Sequence, residues 1–243
     1  MEETTRKPMQ VALLLTGFYR SFDKTRDNLL GIAKDLKADV FVATWDKDEW
    51  NTAKGKYNRS VSMDMLGRPQ TEGHATGIWD IEHYMENRVP FVQNNRDQDV
   101  MVTDPRAREH GLFWANRLRD QWYLVQRGFE LIHYSTRKYD AVIRVRMDIA
   151  FDSFVFRPDL VKSDLIVIPQ DIGGWDYSDH LAYGSYATMQ KYCTFFQHMQ
   201  NVYDIHNTDP THAVNFPKFY MTQYGEKRTV IIDQTMRYSI IKP

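Results

Sequence analysis

Two short apolar runs near the N-terminus constrain the fold of this chain more than any other feature of its sequence. The first covers residues 10–16 and the second covers residues 38–44, and each has the length of a buried strand. Between them, a segment that begins near Ser21 or Asp23, both suitable N-cap residues, and ends near Leu36 carries apolar side chains at helical spacing. A strand, a helix and a second strand in such close succession are typical of a βαβ unit with a right-handed crossover. The sequence therefore predicts an α/β fold.

The remaining chain continues the alternation of helices and strands around one long polar loop, expected over residues 47–77. The longest predicted helix, residues 112–134, has an apolar stripe at helical spacing that belongs to a core. No internal repeat or linker divides the chain, so we predict a single domain, residues 1–243, with a mostly parallel, Rossmann-like central sheet flanked by helices. The stripe consists of Trp114, Leu118, Trp122, Val125, Phe129 and Ile132. The other predicted elements are helices over 80–88 and 185–203 and strands over 90–93, 140–148, 165–168, 181–184 and 230–232.

Charge and cysteine content argue against several classes of protein. The chain has 31 Lys+Arg against 32 Asp+Glu, a formal net charge of -1, which argues against a nucleic-acid partner. Cys193 is the single cysteine, so neither an internal disulfide nor a zinc site built on thiolates is expected. No apolar run approaches the ~20 residues that span a bilayer, and residues 1–10 do not resemble a signal peptide. We expect a soluble, cytoplasmic protein without a membrane span, and leave open that it is part of a longer, multidomain chain.

The strand predicted over residues 140–148 is unusual because it places three charges on one face. Arg144, Arg146 and Asp148 alternate with apolar residues, whereas a central strand of a parallel sheet is normally apolar on both faces. Such charges are costly unless they are paired or reach a cleft at the end of the sheet. One interpretation is a buried ion-pair network in which Asp148 neutralises an arginine. The other is an anion site at the carboxyl edge of the sheet, where guanidinium groups bind phosphate oxygens and Asp148 binds a divalent cation or a ribose hydroxyl.

Three turns contribute further candidate ligands. After the first strand, Gly17 permits a tight turn and Arg20 can reach a phosphate, although a single glycine more often marks an ordinary strand-to-helix turn. After the second strand, Trp45 can stack on a base or sugar and Asp46 can accept a hydrogen bond from it, or the two are a core tryptophan and a capping aspartate. Asp179 lies in a loop with aromatic neighbours, which suits either sugar binding or a solvated acidic loop. Its neighbours there are Trp175, Asp176, Tyr177 and His180.

Two large enzyme classes lose support because their phosphate-binding loops are missing from the sequence. The chain has neither the glycine-rich fingerprint of dinucleotide-binding proteins nor a Walker loop, which argues against NAD enzymes and P-loop NTPases.

Five segments of the chain form an ordered set. They are LLLTGFYRS (13–21), ADVFVATWD (38–46), FWANRL (113–118), KYDAVIRVRMD (138–148) and DHLAYGS (179–185), the last followed by Met189 and Tyr192. In this order, over residues 10–192, the set resembles a group of small GT-A-type glycosyltransferases. These enzymes occur in bacterial surface-polysaccharide gene sets and in large algal viruses of the chlorovirus kind. The order of the segments is more specific than any one of them.

The resemblance implies a GT-A-like domain that moves a sugar from a UDP- or GDP-linked sugar donor to a hydroxyl group of a glycan acceptor. The donor would lie against residues 10–152 and the acceptor against residues 153–243, in the host cytoplasm if the protein is viral. Asp179 would be the general base of an inverting reaction, whereas a retaining reaction assigns it no such role. Asp148 takes the place of the family's motif for Mn²⁺ or Mg²⁺, but Arg146 replaces that motif's other carboxylate and is itself able to neutralise the diphosphate. The donor-binding residues implied are Thr16, Gly17, Phe18, Tyr19, Arg20, Trp45, Asp46, Arg144, Arg146 and Asp148.

Two other functions stay open at this point. A nucleotidyltransferase that acts on sugar phosphates also uses a Rossmann-like sheet and metal carboxylates, although its first loop is normally glycine-rich and basic. A non-catalytic nucleotide- or sugar-binding module needs the same binding residues without a base at Asp179. The aromatic residues, 14% of the chain, are expected to divide between the core stripe and a sugar-binding rim. That rim would comprise Phe18, Tyr19, Trp45, Trp175, Tyr177 and Tyr183.

Overall fold

A computed structural model describes residues 8–17, 21–45, 60–64, 79–80, 121–162, 164–170, 178–198, 221 and 229–242. Within these ranges the chain forms strands, α-helices and short 3₁₀ helices. The strands are β1 (Val11–Gly17), β2 (Asp39–Trp45), β3 (Ser60–Asp64), β4 (Trp79–Asp80), β5 (Ala141–Arg146), β6 (Ile149–Ser153), β7 (Leu165–Pro169), β8 (Leu181–Ser185), β9 (Thr229–Asp233) and β10 (Arg237–Ile240). The α-helices are α1 (Phe22–Asp35), α2 (residues 121–133) and α3 (Tyr186–Cys193), and the 3₁₀ helices are Pro158–Leu160 and Phe195–His198.

One large sheet forms the centre of the described structure. Its strands follow the order β4-β3-β2-β1-β5-β8-β7-β9, and β6 pairs with β10 in a separate two-stranded ribbon. Strands β3 and β8 are antiparallel to their neighbours, so the other six strands of the large sheet all run in one direction. The prediction of an α/β fold with a mostly parallel central sheet is therefore confirmed.

Strand β1 lies between β2 and β5, and this position determines where a ligand can approach the sheet. The chain passes from β1 to β2 on one side and returns later to place β5 on the other side. Thr16 pairs in register with Ala43 of β2 and with Arg146 of β5, so the carboxyl ends of all three strands meet at one edge. Sheets of this kind bind ligands outside the carboxyl ends of the strands, where the strand order reverses. In this chain the reversal lies between β1 and β5.

Apolar residues cover both faces of the sheet, as a sheet between two helical layers requires. Alternate residues of β1 point to opposite faces: Leu13 joins the cluster beneath α1, while Leu14 joins the cluster beneath α2 and α3. Helix α2 packs closely, because a Cβ at Gly128 would lie only 2.6 Å from Leu14 Cδ1. The described part of the predicted aromatic stripe is confirmed as core. Its buried members are Trp122, Val125, Phe129 and Ile132.

The predicted polar loop and the predicted charged strand both differ from what the structure contains. The loop over residues 47–77 is interrupted by β3, whose sequence SVSMD alternates polar and apolar residues as a short strand does. Asp80, expected to begin a helix, ends β4 instead, and residues 81–88 and 90–93 lie outside the described ranges. The strand expected over residues 140–148 ends at Arg146, and Asp148 lies in the turn that leads into β6. Strand β6 exists because β10, far along the chain, pairs with it.

Two further expectations are corrected in the second half of the chain. Ser185 caps α3 as predicted, since its hydroxyl accepts a hydrogen bond from the Thr188 amide at 3.2 Å. The helix does not continue to residue 203: it ends at Cys193, and the Thr194 hydroxyl donates to the carbonyl of Gln190 at 2.9 Å where the chain tightens into a 3₁₀ turn. Tyr183 is a core residue rather than part of a sugar-binding rim. It is fully buried in the apolar cluster beneath α1, where its ring packs against Phe156.

In the described ranges, no helix combines the length and the apolar character that crossing a membrane requires.

Candidate functional site

Arg144 connects the central strands to the loop that precedes β8. Its side chain is 0% exposed, on the face of β5 that lies beneath α2. Its Nε donates a hydrogen bond to Thr16 Oγ1 at 2.9 Å, and its Nη1 donates to the backbone carbonyl of Asp179. The guanidinium carbon lies 5.8 Å from the centre of the Trp122 ring. Arg144 therefore fixes β1, β5 and this loop relative to one another from within the core.

Arg146, two residues further along the same face, forms a bidentate ion pair with Asp148. Its Nε donates to Oδ1 at 3.0 Å and its Nη2 donates to Oδ2 at 2.6 Å. The Arg146 side chain is 20% exposed, whereas that of Asp148 is 5% exposed. Burial opposes the charged form of Arg146, but the carboxylates of Asp148 and Asp179 outweigh burial and hold the pKa of Arg146 above its ordinary value. These contacts agree with the first interpretation of this strand face, in which Asp148 neutralises an arginine.

Asp179 occupies a buried position where several positive or donating groups converge. Gln121 of α2 donates from Nε2 to Asp179 Oδ2 at 2.6 Å, and His180 Nε2 lies 3.4 Å from Oδ1. Burial favours a raised pKa for Asp179, but the charges of His180, Arg146 and Arg144 and the bond from Gln121 outweigh burial, so the pKa lies below its ordinary value. Asp179 is therefore ionised at neutral pH and is a weaker base than an ordinary aspartate.

A network of hydroxyl groups surrounds the imidazole of His180. His180 Nδ1 lies 2.9 Å from the hydroxyl of Tyr238 in β10, and the two rings meet edge to face. The Ser178 hydroxyl lies 2.9 Å from the same tyrosine oxygen and accepts a hydrogen bond from the His180 amide at 3.2 Å. The C-terminal strand thus reaches the loop that carries Asp179.

Backbone contacts bring the ends of the central strands together. The Met147 amide donates to the carbonyl of Thr16 at 3.1 Å, and the Arg146 amide donates to the carbonyl of His180 at 3.0 Å. Gly17, the last residue of β1, has a φ of 120°, a conformation that residues with side chains rarely adopt. Gly17 therefore has a conformation that its missing side chain permits, while residues 18–20, where the turn was expected, lie outside the described ranges.

Most of the described candidate residues lie together at the carboxyl ends of β1 and β5. Trp45 ends β2 at the same edge of the sheet. The sequence did not indicate Gln121 or Tyr238, which lie far from Asp179 in the chain, nor Ser178, its immediate neighbour. The candidates brought together are Thr16, Gly17, Arg144, Arg146, Asp148 and Asp179. The candidates outside the described ranges are Phe18, Tyr19, Arg20, Asp46, Trp175, Asp176 and Tyr177.

The described residues show how the predicted metal ligand, Asp148, is held. Among them there is no group of three or more His, Cys, Asp or Glu side chains arranged to hold a metal. Asp148, the predicted ligand, accepts a hydrogen bond from Arg146 on each of its oxygens. Any cation bound to Asp148 would therefore compete with a guanidinium already in place.

Comparison of the sequence with models of known protein families and with curated proteins finds no match in either set.

Proposed function

We propose that the chain is a GT-A-type glycosyltransferase that moves a sugar from a nucleoside-diphosphate sugar to a hydroxyl group of a glycan acceptor. One observation supports it most directly: two arginines and two aspartates meet beside Thr16 and Gly17 where the strand order reverses. We call these four, Arg144, Arg146, Asp148 and Asp179, the charge cluster. Open α/β sheets bind ligands at this edge, and guanidinium groups suit phosphate oxygens. The resemblance of the five sequence segments supports the same assignment.

The leaving group of the proposed reaction is a nucleoside diphosphate, which gains negative charge as the bond to the sugar breaks. Arg146 is the better placed arginine for stabilising this charge, because its side chain is 20% exposed whereas Arg144 is fully buried. In the proposal, Arg146 contacts the diphosphate, Asp148 orients its guanidinium, and Arg144 holds the loop of Asp179. No step is assigned to a metal ion, and the manganese arm of the experiment below tests whether one is needed.

The role proposed for Asp179 depends on the stereochemistry of the reaction. An inverting reaction needs a base that removes the proton of the acceptor hydroxyl, and an ionised carboxylate can accept it. The lowered pKa of Asp179 reduces the driving force for that transfer. In a retaining reaction, Asp179 would instead balance the charge of the two arginines.

The same lowered pKa favours a second candidate function, a non-catalytic module that binds a nucleotide sugar. In such a module, Asp179 and Asp148 serve only to hold the arginines in place. Both functions predict that the nucleotide sugar binds, but only the enzyme is expected to turn it over.

The experiment that tests the proposal is a thermal-shift panel of UDP- and GDP-linked sugars, with and without manganese, followed by assays of donor hydrolysis and transfer. A donor present at a hundred times its Kd stabilises the native state by about 2.7 kcal/mol. For a chain of this length that raises Tm by about 5–11 °C. No shift with any donor would contradict both candidate functions. A shift without turnover would favour the binding module.

A matched pair of variants tests the role of Arg146. Arg157 forms the same bidentate pair with the aspartate two residues along, at 3.1 Å and 2.9 Å, but its side chain is 48% exposed and far less enclosed. Arg146→Met is expected to abolish the donor-induced shift, whereas Arg157→Met is expected to retain it. Equal shifts in the two variants would remove Arg146 from the proposed donor site.

A further inference from the structure

The loop of Asp179 and the C-terminal strand β10 are linked by a chain of buried polar groups. Ser178, His180 and Tyr238 are each at most 9% exposed. Tyr238 is the buried residue of β10, where its neighbours Arg237, Ser239 and Ile240 are exposed. Tyr238 directs its hydroxyl to both Ser178 Oγ and His180 Nδ1 at 2.9 Å. The other ring nitrogen of His180 lies 3.4 Å from the Asp179 carboxylate.

The direction of each hydrogen bond in this chain follows from what each group can donate. An ionised carboxylate only accepts, so the His180 nitrogen that faces Asp179 carries a proton. In the neutral imidazole the other nitrogen, Nδ1, is then an acceptor, and the Tyr238 hydroxyl must donate to it. Ser178 accepts a hydrogen bond from the His180 amide and has its own proton free to donate to the tyrosine oxygen. The hydrogen bonds run in one direction from the His180 amide to His180 Nδ1, and the Nε2 proton then faces the Asp179 carboxylate across 3.4 Å.

From this geometry we infer that Tyr238, oriented by Ser178, donates to His180 Nδ1 and so stabilises the tautomer that Asp179 selects, in which the Nε2 proton faces the Asp179 carboxylate and positions it. The hydrogen bond that the second nitrogen of a histidine makes commonly fixes which nitrogen is protonated. Tyr238 is thus a positioning residue that acts on Asp179 through His180. The C-terminal strand holds the other side of the site as well, because the Ile241 amide donates to the carbonyl of Asp148 at 2.8 Å.

Nitrogen-15 NMR of the imidazole tests this inference without any substrate. Spectra of ¹⁵N-histidine-labelled protein, with the His180 signals assigned from a His180→Gln variant, are recorded over a pH series that reaches the neutral ring. We expect the proton on Nε2 and an acceptor-type Nδ1 resonance. A proton on Nδ1 throughout the series would overturn the inference.

Three variants show whether Tyr238 is responsible. Tyr238→Phe removes only the hydroxyl and is expected to move the Nδ1 resonance, because that nitrogen loses its donor. Tyr134→Phe makes the same change on a side chain that is 74% exposed and is expected to leave the His180 signals unchanged. If Tyr238→Phe does not fold, Ser178→Ala is expected to move the same resonance by a smaller amount. An unmoved Nδ1 resonance in the folded variant that is tested would overturn the inference.

A second test measures kcat and KM, and it depends on the proposed transferase activity. In a transferase, Tyr238→Phe should lower kcat about tenfold, the factor that one lost hydrogen bond can produce, with the donor KM unchanged. A KM that rises while kcat stays constant would contradict the positioning of Asp179 by His180. If no donor is turned over by the unmodified protein, the proposed enzyme fails, while the NMR result still decides the tautomer.

Discussion

Replacing Asp179 by asparagine tests the physical basis of the charge cluster directly. Asparagine has the shape of aspartate and keeps an oxygen that can accept from Gln121, but it removes the negative charge that faces two arginines and His180. Asp179 is only 7% exposed, so solvent screens the loss weakly. Removing one partner of a buried ion pair destabilises a protein by about 3–5 kcal/mol.

The expected loss lies at the lower end of that range for two reasons. The Gln121 bond survives, and Arg146 keeps its bidentate contact with Asp148. We therefore expect Asp179→Asn to lose about 3 kcal/mol at pH 7. For a chain of this length that corresponds to a fall in Tm of about 6–12 °C.

The pH dependence of this difference has a definite sign. The pKa of Asp179 is lowered in the native state, whereas an unfolded aspartate titrates at about 3.9. A carboxyl group with a depressed native pKa contributes its full stabilisation above the unfolded value and loses it as the pH falls through the native value. The advantage of the native protein over Asp179→Asn should therefore be complete at neutral pH, shrink below about pH 4 and vanish below the native pKa of Asp179.

Urea unfolding followed by tryptophan fluorescence measures the free energy at each pH, with equal m values as the condition for comparing the curves. Asp159→Asn is the control, because it removes a carboxylate that is paired with an arginine, Arg157, at the surface and should change stability very little. No loss for Asp179→Asn at pH 7, or a loss of the same size at acidic pH, would refute the argument that the arginines and His180 act on the Asp179 charge.

Three further predictions concern the elements that hold the site. Gly17→Ala should cost about 1–3 kcal/mol in urea unfolding because of its φ of 120°, even though a Cβ there meets no atom within 4 Å. Ser185→Ala should cost about 1 kcal/mol, because α3 loses the hydroxyl that accepts from the Thr188 amide, whereas Ser185→Thr should retain most of that stability. Cys193 is fully buried and burial raises its pKa, so a thiol reagent at pH 8 should label it only in urea; fast labelling of the native protein would contradict its placement in the core.

The strands and helices that follow from local sequence patterns could be predicted from the sequence. The apolar runs that become β1 and β2 have the length of buried strands, and the stripe that includes Trp122 has the helical period. Because carboxyl ends of parallel strands share one edge, Thr16 and Arg146 could be placed together before their register was known. Both interpretations of the charged strand were available from the same alternation of side chains.

The remaining features depend on contacts between distant segments, which no local pattern contains. Strand β10 pairs with β6 and brings Tyr238 to His180, 58 residues away in the chain. The burial of Tyr183 likewise depends on other segments, because its ring packs against Phe156 within the cluster beneath α1. The sequence of β8 does not show which of its side chains other elements will cover, so Tyr183 could equally have belonged to a rim.

The charge cluster limits how an anionic donor can bind, because its charges already balance. Within the described residues it contains two guanidinium groups and two carboxylates: Asp148 is paired with Arg146, and the charges of both arginines help to lower the pKa of Asp179. A diphosphate that contacts Arg146 must compete with Asp148 for the same donors, so the attraction it gains is only the difference between two charge-assisted contacts.

Net attraction of the diphosphate then requires positive charge from beyond these four residues. Arg20, outside the described ranges, follows β1 in the sequence and is one source; a protonated His180, whose ring already faces Asp179, is another. In the proposed function, the arginines of β5 therefore mark the place of the donor, whereas the affinity for its negative charge depends on the positive groups around them.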